Sequence, residues 1–123
     1  MNNTRDYKIL VIDDDKMFTQ VIKSYLVEQG FRVIIRNNAN DIEETIDDSI
    51  NLILLDLYMP GQTGIDTLIN IKKSYPDKPV IIMTGFTSNE LKQTTGNLGA
   101  FEHLEKPFAM STLQTKIEKA LKT

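Results

Sequence analysis

Apolar residues in this chain fall into two kinds of run. Lys8–Ile12, Arg32–Ile35, Leu52–Leu55 and Val80–Met83 are short, rich in Val, Ile and Leu, and barely alternate, as strands buried on both faces do. A weaker run lies around His103–Glu105. Between them the spacing becomes helical. Phe18, Val21, Ile22, Tyr25 and Leu26 form one stripe, followed by Gly30 as a C-cap residue. Asp41–Ser49 predicts a shorter helix with Ile42 and Ile46 inward and Asp41, Glu43, Glu44, Asp47 and Asp48 on a solvated face. Ile65, Leu68, Ile69 and Lys72 continue the pattern between Gly64 and Ser74. Thr87-Ser88-Asn89-Glu90 and Ser111-Thr112-Leu113-Gln114 have the form of capping boxes opening two further helices. The last of these buries Leu113, Ile117, Ala120 and Leu121. Gln93-Thr94-Thr95-Gly96-Asn97 are weak helix formers, so the fourth helix is expected to be short or mobile.

Five strand–helix alternations predict an α/β fold. Its five-stranded parallel sheet has order 2-1-3-4-5, doubly wound in the flavodoxin-like manner with helices on both faces. Strands one and three then meet at the switch point, and ligands bind outside the carboxyl ends of the strands there.

Composition narrows the function classes. The 123 residues are 41% hydrophobic and 25% charged, ordinary for one globular domain. We expect one domain over residues 1–123, with its core at about 7–121 and no output domain. A net charge of −3 argues against direct nucleic-acid binding, which needs clustered Lys and Arg. With no cysteine there is no disulfide, thiol nucleophile or thiolate metal site. The amino terminus lacks a secretion signal, and no apolar run approaches the ~20 residues that span a bilayer. A cytoplasmic protein without membrane contact is expected.

The strand ends carry the candidate chemistry. The first ends in Asp13-Asp14-Asp15, the third in Asp56, the fourth in Thr84-Gly85 and the fifth in Lys106-Pro107-Phe108. Carboxylates drawn into one crevice repel each other unless a cation or protons neutralise them. An all-oxygen set suits a hard cation such as Mg²⁺. The triplet alone favours a polar loop and helix cap, a common use of Asp. Asp56, directly after Ile53-Leu54-Leu55, tips the balance toward a site, as metal ligand alone or also as nucleophile. Lys106 would offer a cation and Thr84 a hydroxyl to phosphoryl oxygens.

Five motifs in order carry a resemblance. They are Val11-Ile12-Asp13-Asp14-Asp15, the stretch from Leu54 to Gly64 around Asp56, Ile81-Ile82-Met83-Thr84-Gly85, Gly99-Ala100 and Leu104-Glu105-Lys106-Pro107-Phe108. Over roughly Tyr7 to Leu121 the chain resembles the receiver domain of two-component response regulators, the chemotaxis regulator among them. The resemblance implies Asp56 as phosphoacceptor. It implies Mg²⁺ (or Mn²⁺) held by Asp14, Asp56 and the backbone carbonyl of Tyr58, with Asp13 acting through water. Thr84 and Lys106 would hold the phosphoryl oxygens, and Lys106–Pro107 would be a cis peptide. Gly64 would open the third helix, and Met59-Pro60 would shape the turn behind the acceptor. The implied partners are a histidine kinase or phosphotransfer protein, and a downstream effector or output domain. Phosphorylation would shift the face formed by helix four, strand five and helix five, and the domain would turn over no separate substrate.

Three departures from the family pattern matter. His103 stands where Tyr or Phe often serves as the rotating switch residue; an edge-strand histidine and a switch are equally open readings. The poor fourth helix leaves dimerisation through that face open. Tyr58 and Phe86 are bulky and flank the route by which water reaches an acyl phosphate, so slow self-dephosphorylation is expected. Two rival readings remain. A flavodoxin-like cofactor protein is disfavoured because Asp13-Asp14-Asp15 repels a phosphate, and a binding module without phosphorylation is disfavoured by the intact site set.

Overall fold

The computed structural model describes residues 6–40, 42–59 and 63–122, with the Glu43 side chain excepted. The expectations for Asp41 and for the turn at Pro60 therefore lie outside the described residues. Along the chain the elements are β1 (Lys8–Ile12), α1 (Lys16–Glu28), β2 (Arg32–Arg36), α2 (Ile42–Thr45) and β3 (Leu52–Asp56). They continue as α3 (Gly64–Ser74), β4 (Val80–Thr84), α4 (Asn89–Asn97), β5 (Glu102–Glu105) and α5 (Met110–Leu121). All strands pair in parallel, in the expected order β2-β1-β3-β4-β5.

The sheet separates two cores. Leu10, Ile12, Ile53, Leu55, Val80 and Ile82 face one side, against Ile42 of α2 and Leu68 and Ile71 of α3. Ile9, Val11, Leu52, Leu54, Ile81 and Met83 face the other, against α1 and α5. Every residue of β3 and β4 is buried, which explains why those runs do not alternate. Each wholly buried Leu or Ile side chain contributes about 1.5–3 kcal/mol, so the three central strands form a rigid platform for what their ends carry.

Several helix faces differ from the periodic reading. Val21 and Ile69 are exposed, while Thr19, Thr67 and Ile71 are buried. The threonines can turn inward because each gives its hydroxyl to its own helix: Thr19 to Lys16 O at 3.0 Å and Thr67 to Thr63 O at 3.2 Å. With the donor satisfied, the methyl group packs like an apolar residue. Leu121 is half-buried.

Helix ends also differ. α2 has four residues rather than nine, because the Asp47 carboxylate accepts from Ser49 N at 2.8 Å and favours a local turn over helix. α4 is capped by Ser88, whose side chain accepts from Leu91 N, and not by Thr87. α5 starts after Ala109 without a side-chain cap, so Ser111 and Thr112 lie inside the helix. Gly30 does close α1, one position beyond the Gln29 cap, at a φ of 100° that a residue with a Cβ rarely adopts.

Candidate functional site

Strand register assembles the site. Ile12 lies opposite Leu55, so Asp13 and Asp56 leave their strands side by side. Asp56 is opposite Met83 and Thr84 is opposite Glu105, which brings Thr84 and Lys106 to the same edge.

The aspartate triplet divides its work. Asp15 caps α1, its carboxylate accepting from Phe18 N at 3.0 Å. Asp13 is wholly buried: its Oδ1 accepts from Asp15 N at 3.0 Å and its Oδ2 from Lys106 Nζ at 2.5 Å. Its backbone is held as well, N–H donating to Arg36 O and carbonyl accepting from Asn37 Nδ2. Asp14 is exposed at the rim. One carboxylate oxygen from each of Asp13, Asp14 and Asp56 lies within 4.8 Å of the others.

Asp56 is 5% exposed. Its Oδ1 accepts from Tyr58 N at 3.1 Å and its Oδ2 from Lys106 Nζ at 3.4 Å. Burial pushes its carboxyl above the ordinary value, and the Asp13 carboxylate adds to this; the Tyr58 N–H and Lys106 pull the other way. Lys106 thus bridges both buried acids, closer to Asp13, with its peptide to Pro107 cis as expected. Three carboxylates face one ammonium, so negative charge remains. The donors are all oxygens and Asp14 opens to water, which fits a hard divalent cation such as Mg²⁺.

Thr84 is buried, and its hydroxyl is engaged with its own loop, donating to Phe86 O at 2.9 Å and accepting from Phe86 N. Tyr58 and Phe86 are exposed beside the crevice. His103 is half-buried, with Nε2 against Thr95 Oγ1 on α4. Thr95 Oγ1 also lies 2.9 Å from Leu91 O, an acceptor for its hydroxyl proton. Burial lowers the His103 pKa, Glu102 opposes this, and Lys92 and Lys116 reinforce it. Gly64 lies against the turn after β3, with its N–H donating to Leu57 O at 3.0 Å.

One neighbour was not legible as part of the site. Lys106 Nζ lies 4.4 Å from the centre of the Phe18 ring, and Phe18 meets Phe108 edge-on at 5.8 Å. From sequence Phe18 belongs to the apolar stripe of α1. Its i+4 spacing from Asp14 fits that stripe as well as a site.

Comparison with known proteins agrees with this geometry. The sequence profile described as response regulator receiver domain matches residues 9–118. The transcriptional regulatory protein CpxR of Escherichia coli (strain K12) is 39% identical over 116 residues, covering 94% of this chain and 49% of that protein. An uncharacterized transcriptional regulatory protein of Bacillus subtilis (strain 168), YkoG, is 30% identical over 93% of this chain and 50% of its own length. The chain therefore spans about half the length of these curated relatives. A crystallised CheY-like receiver domain protein from Methanospirillum hungatei JF-1 superposes with a TM-score of 0.88 at 30% identity, covering 94% of both chains. A receiver domain protein from Clostridium thermocellum gives 0.87 at 34% identity, with the same coverage. With the acidic edge, the sheet order and the profile in agreement, this chain belongs to the response regulator receiver domains, the phosphoacceptor signalling domains of two-component systems.

Proposed function

We propose that Asp56 is the phosphoacceptor, in a receiver unit spanning about residues 7–121 that works in the cytoplasm. One observation carries this reading. The Lys106 ammonium lies between buried Asp13 and Asp56, whose oxygens converge with that of Asp14. A carboxylate oxygen of Asp56 attacks the phosphorus of a phosphohistidine on a histidine kinase or phosphotransfer protein, or of a small acyl phosphate. The new P–O bond forms as the bond to the leaving group breaks, and that bond's electron pair departs with the imidazole or carboxylate. Tyr58 N–H fixes the acceptor carboxylate, and Lys106 turns from Asp13 toward the charge on the equatorial oxygens. Asp14, Asp56 and the Tyr58 carbonyl would hold Mg²⁺ directly. Asp13 would act through water, since both its oxygens already accept hydrogen bonds. The bound ion supplies charge neutralisation at the transferred group. The domain assists its own modification and turns over no separate substrate; an effector or output domain reads the result.

The test is direct. With acetyl phosphate and Mg²⁺ the protein gains the mass of one phosphoryl group and Asp56→Ala gains none. Equal gains in both would place the group elsewhere.

Readout rests on Thr84 and His103. Thr84 leaves Phe86 O for a phosphoryl oxygen, and the change reaches β5 and the Thr95–His103 contact with α4, biasing two conformers. His103 is the chain's sole histidine, so its ring signals are unambiguous by NMR. Phosphorylation is expected to shift them in the parent but not in Thr84→Ala. A shift of parental size in Thr84→Ala would remove Thr84 from the link.

The exposed rings of Tyr58 and Phe86 beside the crevice predict slow loss of the phosphoryl group, because they shield phosphorus from in-line water. The Tyr58→Asn/Phe86→Glu variant should decay about tenfold faster. Faster decay in the parent would refute the shielding.

A further inference from the structure

We propose that Phe18 is a positioning residue for phosphoryl transfer, its ring face holding the Lys106 ammonium over the acidic crevice. This rests on the reading that Lys106 serves oxygens on the group carried by Asp56. The ammonium lies against Asp13 at 2.5 Å, Asp56 at 3.4 Å and the Phe18 ring centre at 4.4 Å. The first two are hydrogen-bond acceptors that a transferred phosphoryl group would compete with. The third is not. A ring face attracts a cation through its quadrupole without taking up a directional N–H donor, so Lys106 keeps its donors for oxygens while its position is limited. A lysine head on four flexible carbons otherwise spreads over many rotamers.

Phe18 is itself oriented. It follows Asp15, which caps α1 by accepting from Phe18 N, and the Phe108 ring meets it at an interplanar angle of 79°. Phe108 stands two residues beyond Lys106, so the lysine and the ring that steadies its partner come from one loop, between β5 and α5. Filling the core does not account for this placement, since Phe18 is only partly buried and lies at the edge of its cluster.

Labelling by acetyl phosphate and Mg²⁺, followed by intact mass, tests the proposal. Phe18→Leu, which keeps the bulk and loses the quadrupole, is expected to be labelled about three- to tenfold more slowly. Phe18→Tyr should stay within about twofold of the parent. In a Lys106→Met background, Phe18→Leu should slow labelling no further. Equal slowing in both backgrounds would mark Phe18 as merely structural, and parental rates in Phe18→Leu would overturn the proposal outright. If Phe18→Leu folds poorly, ring-fluorinated phenylalanines at position 18 keep the shape and weaken the ring face. Rates that fall with fluorination support the role, and unchanged rates remove it. A parent that takes no phosphoryl group at Asp56 would refute the underlying reading rather than the role of Phe18.

Discussion

Lys106→Met is expected to destabilise the fold by about 2–3 kcal/mol at neutral pH and to slow labelling of Asp56 more than any other substitution that leaves the acceptor in place. The cause is an unpaired charge. Asp13 is wholly buried and Asp56 nearly so, and Lys106 is the cation within reach of both. Removing one partner of a buried pair typically costs about 3–5 kcal/mol, and we take less because 21% of the Lys106 side chain is open to water. The loss depends on pH, with a definite sign. Burial already raises the Asp56 pKa in the folded state, and Lys106 is one of the groups pulling it back down. Below the ordinary carboxylate range Asp56 is protonated both folded and unfolded, and its contribution to stability is whole. That contribution is lost as pH rises through the raised folded value. Without Lys106 the raised value moves further up and the loss grows. Urea unfolding of parent and variant should therefore converge on acidification and diverge toward neutral pH. A constant offset across that range would show that the cost of Lys106→Met is packing and not charge. Mg²⁺ should also stabilise the variant more than the parent, because among the described residues no other cation is paired with these acids.

The same lysine shows where sequence reasoning reached and where it stopped. The sheet was legible because buried parallel strands are short apolar runs without alternation, and β1, β3 and β4 have that form. The positions of the acids followed, since a parallel sheet puts all carboxyl ends on one edge. The division of labour among Asp13, Asp14 and Asp15 did not follow. It depends on backbone paths such as Asp13 N–H to Arg36 O, which composition does not encode. Helix faces differ from the periodic reading at Thr19 and Thr67 for one reason. A threonine reads as polar until its hydroxyl is given to its own helix, and then it packs as an apolar residue. The boundaries of α2 and α5 depended on local competition, a turn at Asp47 and an uncapped start at Ala109. Phe18 was hidden because one spacing serves two purposes.

Gly64→Ala is expected to cost about 2–4 kcal/mol and to weaken Mg²⁺ binding together with labelling, although residue 64 touches neither ion nor phosphoryl group. A Cβ built on Gly64 would lie 2.2 Å from Leu57 Cα and 2.6 Å from Leu57 O. Those atoms are backbone and cannot rotate away, so either α3 or the turn after β3 must move. The restriction is one of space and not of backbone angle. Leu57 joins Asp56, the proposed acceptor, to Tyr58, whose N–H holds Asp56 Oδ1. A displacement at Leu57 is therefore passed to both, and to the Tyr58 carbonyl proposed as a metal ligand. The Gly64 N–H bond to Leu57 O lengthens in the same movement. Gly99→Ala is the informative control. Its Cβ would first meet the Lys72 side chain, at 3.2 Å, and its φ is positive at 102°, so its strain arises away from the acidic edge. It should lower stability and leave Mg²⁺ affinity unchanged in the folded protein. Titration of both variants with Mg²⁺ below their unfolding temperatures separates the cases. Parental affinity in Gly64→Ala would show that the turn yields without carrying Asp56 and Tyr58 with it.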